Sequence, residues 1–107
     1  MRAIVREACA ILRERSDQIV TIESLAAELN VGYTYFRRRF KQYTGFSPKQ
    51  YHTQLRFERV KRLLQDRQLS ISDVANQLEF DSPFHLSQWF KKLAAIPPSQ
   101  WRRQQGS

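Results

Sequence analysis

Two stretches of this 107-residue chain carry the same pattern of side chains. Ile22, Leu25, Ala26, Leu29, Val31, Phe36, Phe40, Lys41, Pro48 and Tyr51 are echoed by Ile71, Val74, Ala75, Leu78, Phe80, Leu86, Phe90, Lys91, Pro98 and Trp101. The offset is 49 residues as far as Val31/Phe80 and 50 from Phe36/Leu86 onward, so the second copy carries one inserted residue. A repeat of this period means one supersecondary unit used twice. In each copy the spacing predicts a short helix, a tight turn and a second helix, the plan of a helix-turn-helix. A chain this short makes one domain or two very small ones and buries a modest share of its surface, so each half is expected to lean on a common element.

The charge is as uneven as the repeat is regular. Residues 33–62 hold nine basic side chains (Arg37, Arg38, Arg39, Lys41, Lys49, Arg56, Arg59, Lys61, Arg62) against one acid, Glu58. That stretch alone accounts for the net charge of +8; the remaining nine basic and nine acidic residues cancel. A concentrated cationic patch marks a polyanion partner, although a solvated charged face is the plainer reading of charge alone. Together with two helix-turn-helix units it points to DNA. No apolar run approaches the ~20 residues that span a bilayer and no signal-peptide pattern opens the chain, so no membrane partner is expected. The single Cys9 allows neither an internal disulfide nor a cysteine-based metal site, which suits a reducing cytoplasm.

Helical periodicity runs through the whole chain, and no segment reads as a strand. The first helix is expected over about residues 2–15, with Ile4, Ala8 and Ile11 on one stripe. Thr21 caps a short helix over 22–29. Asn30-Val31-Gly32 makes the turn, because Asn tolerates a left-handed backbone and Gly is an acceptable cap. The next helix, 33–43, buries Phe36 and Phe40. Ser47-Pro48 opens the longest helix, about 48–65, which at 1.5 Å per residue spans about 27 Å. Ser70 and Asp73 match a capping box, Ser82-Pro83 opens a helix over 83–93, and a last short one begins at Pro98, with fraying after Arg103. The expected fold is all-α, with about seven helices. Two helix-turn-helix subdomains, 1–47 and 67–107, are joined by a linker helix over 48–66.

These residues resemble the DNA-binding domain of the AraC/XylS family of bacterial transcription regulators. The strongest stretch is Ile71-x-Asp73-Val74-Ala75, then Phe80, Leu86, Phe90-Lys91-Lys92 and Pro98-x-x-Trp101-Arg102. The first copy adds Leu25-Ala26, Arg38, Phe40-Lys41, Thr44-Gly45, Ser47-Pro48 and Tyr51, with Arg56 in the linker, so the likeness covers about residues 3–103. The resemblance implies two recognition helices entering neighbouring major grooves of double-stranded DNA. It also implies an activator that touches RNA polymerase as a second partner. Carried over residue by residue, it assigns Thr34, Arg37 and Arg38 of the first unit, and Phe84, His85, Ser87 and Gln88 of the second, to base edges. Arg can pair guanine O6 and N7, and Gln adenine N6 and N7. Tyr33, Lys41, Lys49, Arg56, Arg62, Ser82 and Lys91 fall to phosphates, which set affinity and salt dependence. The helix starts at Ser47 and Ser82 suit phosphate as well.

The chain departs from the family pattern in ways that predict unequal halves. Glu79 sits where the second turn usually has Gly, and a left-handed Glu costs on the order of 1–2 kcal/mol. Ala95 and Pro97 replace the usual Gly and Ser/Thr. Pro83 and Phe84 replace polar residues, and 71–101 holds two basic side chains against three acids. The first unit is therefore expected to supply most affinity, with the second reading weakly or through Phe84 against a thymine methyl. Phe36, Phe40, Leu86, Phe90, Tyr51 and Trp101 are assigned to core. Trp89 is read as half-buried packing, Cys9 as a small packed hydrophobe and His52 as a surface residue of the linker helix. Tyr33 and Tyr35 fit either the sugar-phosphate backbone or simple surface cover. No phosphate loop, nucleophile elbow or metal-ligand spacing appears, so no enzyme activity, cofactor, metal or small-molecule ligand is expected in this region. The rival readings are a basic helical adaptor for an acidic protein and a nonspecific RNA or single-strand binder. The chain is read either as a piece of a longer regulator, with an effector domain before Met1, or as a small stand-alone member.

Overall fold

The computed structural model of the chain describes residues 2–106; the outer limits of the expected subdomains, Met1 and Ser107, lie outside them. Among the described residues there are seven helices and no strand: α1 (Arg2–Glu14), α2 (Ile22–Glu28), α3 (Tyr33–Thr44), α4 (Pro48–Leu64), α5 (Ile71–Gln77), α6 (Pro83–Ala94) and α7 (Pro98–Gln105). None of them is long and apolar enough to cross a membrane. Packing divides the chain between Leu55 and Arg56, inside α4.

The first unit is built around two phenylalanines. Phe36 and Phe40 of α3 are fully buried against Val5, Ala8 and Leu12 of α1 and Ile22, Leu25 and Ala26 of α2. The start of α4 closes the cluster with Tyr51, whose ring meets Phe40 edge-on at 5.4 Å. Burial, and then a hydrogen bond with Cys9, pushes the Tyr51 phenol above its ordinary pKa; its oxygen accepts from Arg13 Nη2 at 3.2 Å. Cys9 packs beside this core. The second unit repeats the plan. Leu86 and Phe90 of α6 are buried against Val74, Ala75 and Leu78 of α5 and Val60 and Leu64 of α4. Trp101 of α7 stands edge-on to Phe90 at 6.1 Å, as Tyr51 does to Phe40. The common element is thus α4, whose beginning closes one core and whose end belongs to the other.

Local chemistry sets each boundary. Thr21 Oγ1 accepts the Ser24 N–H at 3.3 Å at the start of α2. At α4, Gln50 N–H donates to Ser47 Oγ at 3.1 Å while Ser47 N–H donates to Gln50 Oε1 at 3.0 Å. Ser70 and Asp73 form the same reciprocal box at α5, at 3.0 and 2.9 Å. The α7 helix continues to Gln105 rather than fraying after Arg103, its last turn closed by the Gly106 N–H on the Arg103 carbonyl at 3.3 Å.

The turns inside the two units are built alike. After α2, Asn30 adopts φ 59°, its N–H bonding Ala27 O and the Val31 N–H bonding Ala26 O. After α5, Glu79 adopts φ 63°, with its N–H on Asn76 O and the Phe80 N–H on Ala75 O. Both are Schellman endings, in which a left-handed residue lets the chain reverse and satisfies the last carbonyls of the helix. The second helices end on a left-handed residue too, Gly45 at φ 85° and Ala95 at φ 70°.

Glu79→Gly should stabilise the chain by about 1 kcal/mol in thermal or urea unfolding, whereas Asn30→Gly should be nearly neutral because Asn already tolerates that backbone; an unchanged stability in Glu79→Gly would mean the side chain itself offsets the strain. The hydrogen bonds from the Ser70 backbone N–H and then its hydroxyl hold the Asp73 carboxyl below its ordinary pKa. Its contribution is whole above the usual carboxylate range and is lost as pH falls through the lowered value. Asp73→Asn should therefore flatten the acid limb of stability against pH, and an unaltered limb would contradict the box.

Candidate nucleic-acid interface

Burying Phe36 and Phe40 leaves the other side of α3 to solvent. Thr34, Arg37, Arg38 and Lys41 are all exposed there. They line one open groove of about 950 Å³ with Tyr33, with Thr21 and Glu23 from the start of α2, and with Ser47 and Lys49 from the start of α4. The first unit's six expected contact residues (Thr34, Arg37, Arg38, Tyr33, Lys41 and Lys49) are thus brought together. Four cations face a single acid, Glu23. The first turns of three helices also line the groove, and helix N-termini add partial positive charge and unpaired N–H groups. The guanidinium of Arg37 lies 5.5 Å over the ring of Tyr33, which narrows its choice of positions. Tyr33 therefore belongs to the groove. Tyr35 does not line it and instead carries the half-buried Arg39 at 5.2 Å.

The expected contact residues of the second helix-turn-helix all sit on α6 or its cap, but in a different chemical setting. Phe84, His85, Gln88 and Lys91 are exposed, and Ser82 and Ser87 half-buried. Ser82 Oγ accepts the His85 N–H at 3.0 Å. The His85 ring stands edge-on to Phe80 at 5.6 Å, with Nδ1 3.6 Å from Asp81 Oδ2. Trp89 is half-buried against Phe80 and Phe57. Arg62 is exposed on α4.

Two residues of α4 stand elsewhere than the sequence suggests. Arg56, expected at a phosphate, is only 7% exposed; its Nη2 donates to the Leu78 carbonyl at 2.6 Å, and its guanidinium lies 5.0 Å over Phe80. It belongs to the second core. His52, expected at the surface, is buried, and its Nε2 donates to the Arg15 carbonyl at 3.3 Å. Pro48, His52, Arg56, Val60 and Leu64 are the buried positions of α4, spaced every four residues, and two of them are polar. The apolar members alone, Pro48, Val60 and Leu64, do not outline the stripe. Gln42 and Glu23 line the groove without having been expected there; Gln42 lies one turn beyond Arg38, which was the available signal. Among the described residues no cluster of three or more His, Cys, Asp or Glu is placed to hold a metal ion.

This architecture is that of a paired helix-turn-helix. A family model described as a helix-turn-helix domain matches residues 25–104. The chain belongs to the helix-turn-helix family of AraC-type DNA-binding domains. It is 34% identical to the C-terminal domain of AraT, a response regulator from Geobacillus stearothermophilus, with a TM-score of 0.87 over 94% of this chain and 84% of that one. It is 29% identical to the DNA-binding domain of AdpA, a global transcriptional factor solved with a target DNA, with a TM-score of 0.83 over 94% and 90%. Among full-length relatives, the HTH-type transcriptional regulator GbdR of Pseudomonas aeruginosa is 30% identical over 101 residues. That match takes in 94% of this chain and 28% of GbdR.

Arg56 gives this assignment a direct check. Arg56→Met should destabilise the fold by about 1–3 kcal/mol, by leaving the buried Leu78 carbonyl without its donor. It should leave the salt dependence of DNA binding unchanged. Native stability with a shallower salt slope would return Arg56 to the phosphates.

Proposed function

We propose that the chain is the DNA-binding part of a bacterial transcription regulator and binds double-stranded DNA sequence-specifically, with α3 and α6 in neighbouring major grooves. The observation that carries this is the groove of the first unit, where the base-reading candidates and the phosphate-binding candidates line one cationic concavity. Arg37 and Arg38 pair with guanine edges, and Thr34 contacts a base or phosphate. Tyr33, Lys41 and Lys49 hold the flanking backbone. In the second unit Phe84, His85, Ser87 and Gln88 meet bases, and Ser82 and Lys91 meet phosphate, as does Arg62 on α4. With Arg56 committed to the core, the phosphate set is one cation smaller than the sequence suggests, and the first unit supplies most of the affinity.

In this reading residues 1–47 and 67–107 are the two readers and 48–66 the spacer. The protein works in the cytoplasm as an activator that also touches RNA polymerase, as the family resemblance implies. The chain is no enzyme, and this region needs no cofactor or small-molecule ligand to bind DNA.

Selection of bound duplexes from a random pool tests the proposal. It should return a bipartite motif with half-sites about one helical turn apart, the half-site of the first unit being better defined. On that duplex Arg37→Ala/Arg38→Ala should bind about thirtyfold more weakly or worse. Lys41→Ala should lower the salt slope by about 1 without changing sequence preference. Undiminished binding by the double variant, or no sequence preference in the wild type, would reject the reading in favour of an adaptor.

A further inference from the structure

The exposed side of α6 carries an apolar residue where α3 carries a polar one. Phe84 stands at the repeat position of Thr34, while Ser87 and Gln88 replace Arg37 and Arg38. At 71% exposed, Phe84 is the most solvent-accessible large hydrophobic side chain among the described residues. Phe57, Phe80, His85, Trp89 and Phe90 of this unit form an aromatic cluster, and among the described residues no ring contact ties Phe84 to it. Its backbone is nonetheless held in place, since Ser82 caps the helix and Pro83 sets the first turn. A rigidly mounted, unpacked phenyl ring gains free energy only by covering apolar surface of a partner.

The chemistry of this helix face narrows what it can cover. Phe84 and Gln88 are four residues apart and so stand side by side on one face. Neither carries charge. In the major groove adenine offers N6 and N7 to a glutamine, and thymine alone of the four bases offers a methyl group. Both features belong to A·T pairs.

We infer that Phe84 is a specificity-determining residue that packs on the C5 methyl group of a thymine, beside an adenine paired by Gln88. The inference rests on the DNA-binding reading above and adds the base class that the second unit selects. The first unit reads by charge-assisted hydrogen bonds, and the second reads by apolar contact and uncharged hydrogen bonds.

The test uses the duplex that the wild-type chain selects, with its thymines replaced singly by deoxyuridine, which removes the methyl and leaves pairing intact. At one or two positions wild-type binding should fall about fourfold, the worth of one buried methyl-sized group. Phe84→Ala should bind the thymine and uracil forms equally while keeping its unfolding temperature. If the wild type still prefers the selected duplex but ignores every replacement, the inference is overturned and the DNA-binding reading stands. If Phe84→Ala keeps the discrimination, another residue reads the methyl and the inference is likewise overturned. If no duplex is selected at all, the DNA-binding reading falls and takes the inference with it.

Discussion

Each recognition helix is oriented by two buried side chains one turn apart. Phe36 and Phe40 pin α3, and Leu86 and Phe90 pin α6, all four fully removed from solvent. Burial of such side chains is worth roughly 1.5–3 kcal/mol each. Because a helix presents residues i and i+4 on the same side, fixing that side decides what the other offers. Thr34, Arg37 and Arg38 are outward on α3, and Phe84 and Gln88 on α6, as a consequence of packing rather than of any contact they make themselves. The Schellman turns at Asn30 and Glu79 do the complementary work of carrying the chain from the supporting helix into the projecting one.

One fold therefore carries two different chemical faces. The first is cationic, ringed by helix N-termini and lysines, and suited to phosphate and guanine. The second is neutral and partly aromatic, and its two lysines, Lys91 and Lys92, lie in the last turn of α6. The core residues repeat from one unit to the other, while the exposed positions of α3 and α6 differ. Glu79 and Ala95 each adopt a left-handed conformation that glycine would adopt with less strain.

Much of this was legible in the sequence, for a physical reason. Apolar periodicity, Ser-Pro helix starts and the capping pattern at Ser70–Asp73 are local signals, and the structure places a helix at each of them. The residues off the Phe36/Phe40 stripe could be named because helical geometry leaves them nowhere else to go. Arg56 and His52 could not. A charged or titratable side chain reads as surface, and only the tertiary arrangement reveals the carbonyls of Leu78 and Arg15 waiting for donors. The α7 terminus was underestimated for a similar reason. Arg102 Nε donates to the Leu64 carbonyl at 2.8 Å, a contact across 38 residues that no local pattern encodes.

Sequence reading in the proposed function depends on the exposed side of α3 reaching base edges from the major groove. Methylation interference on a selected duplex tests it most directly, because methyl groups at guanine N7 occupy the major groove and those at adenine N3 the minor groove. N7 methylation of guanines in the first half-site should block binding, while N3 methylation there should have little effect. Binding that tolerates every N7 methyl and is lost to N3 methyls would contradict it.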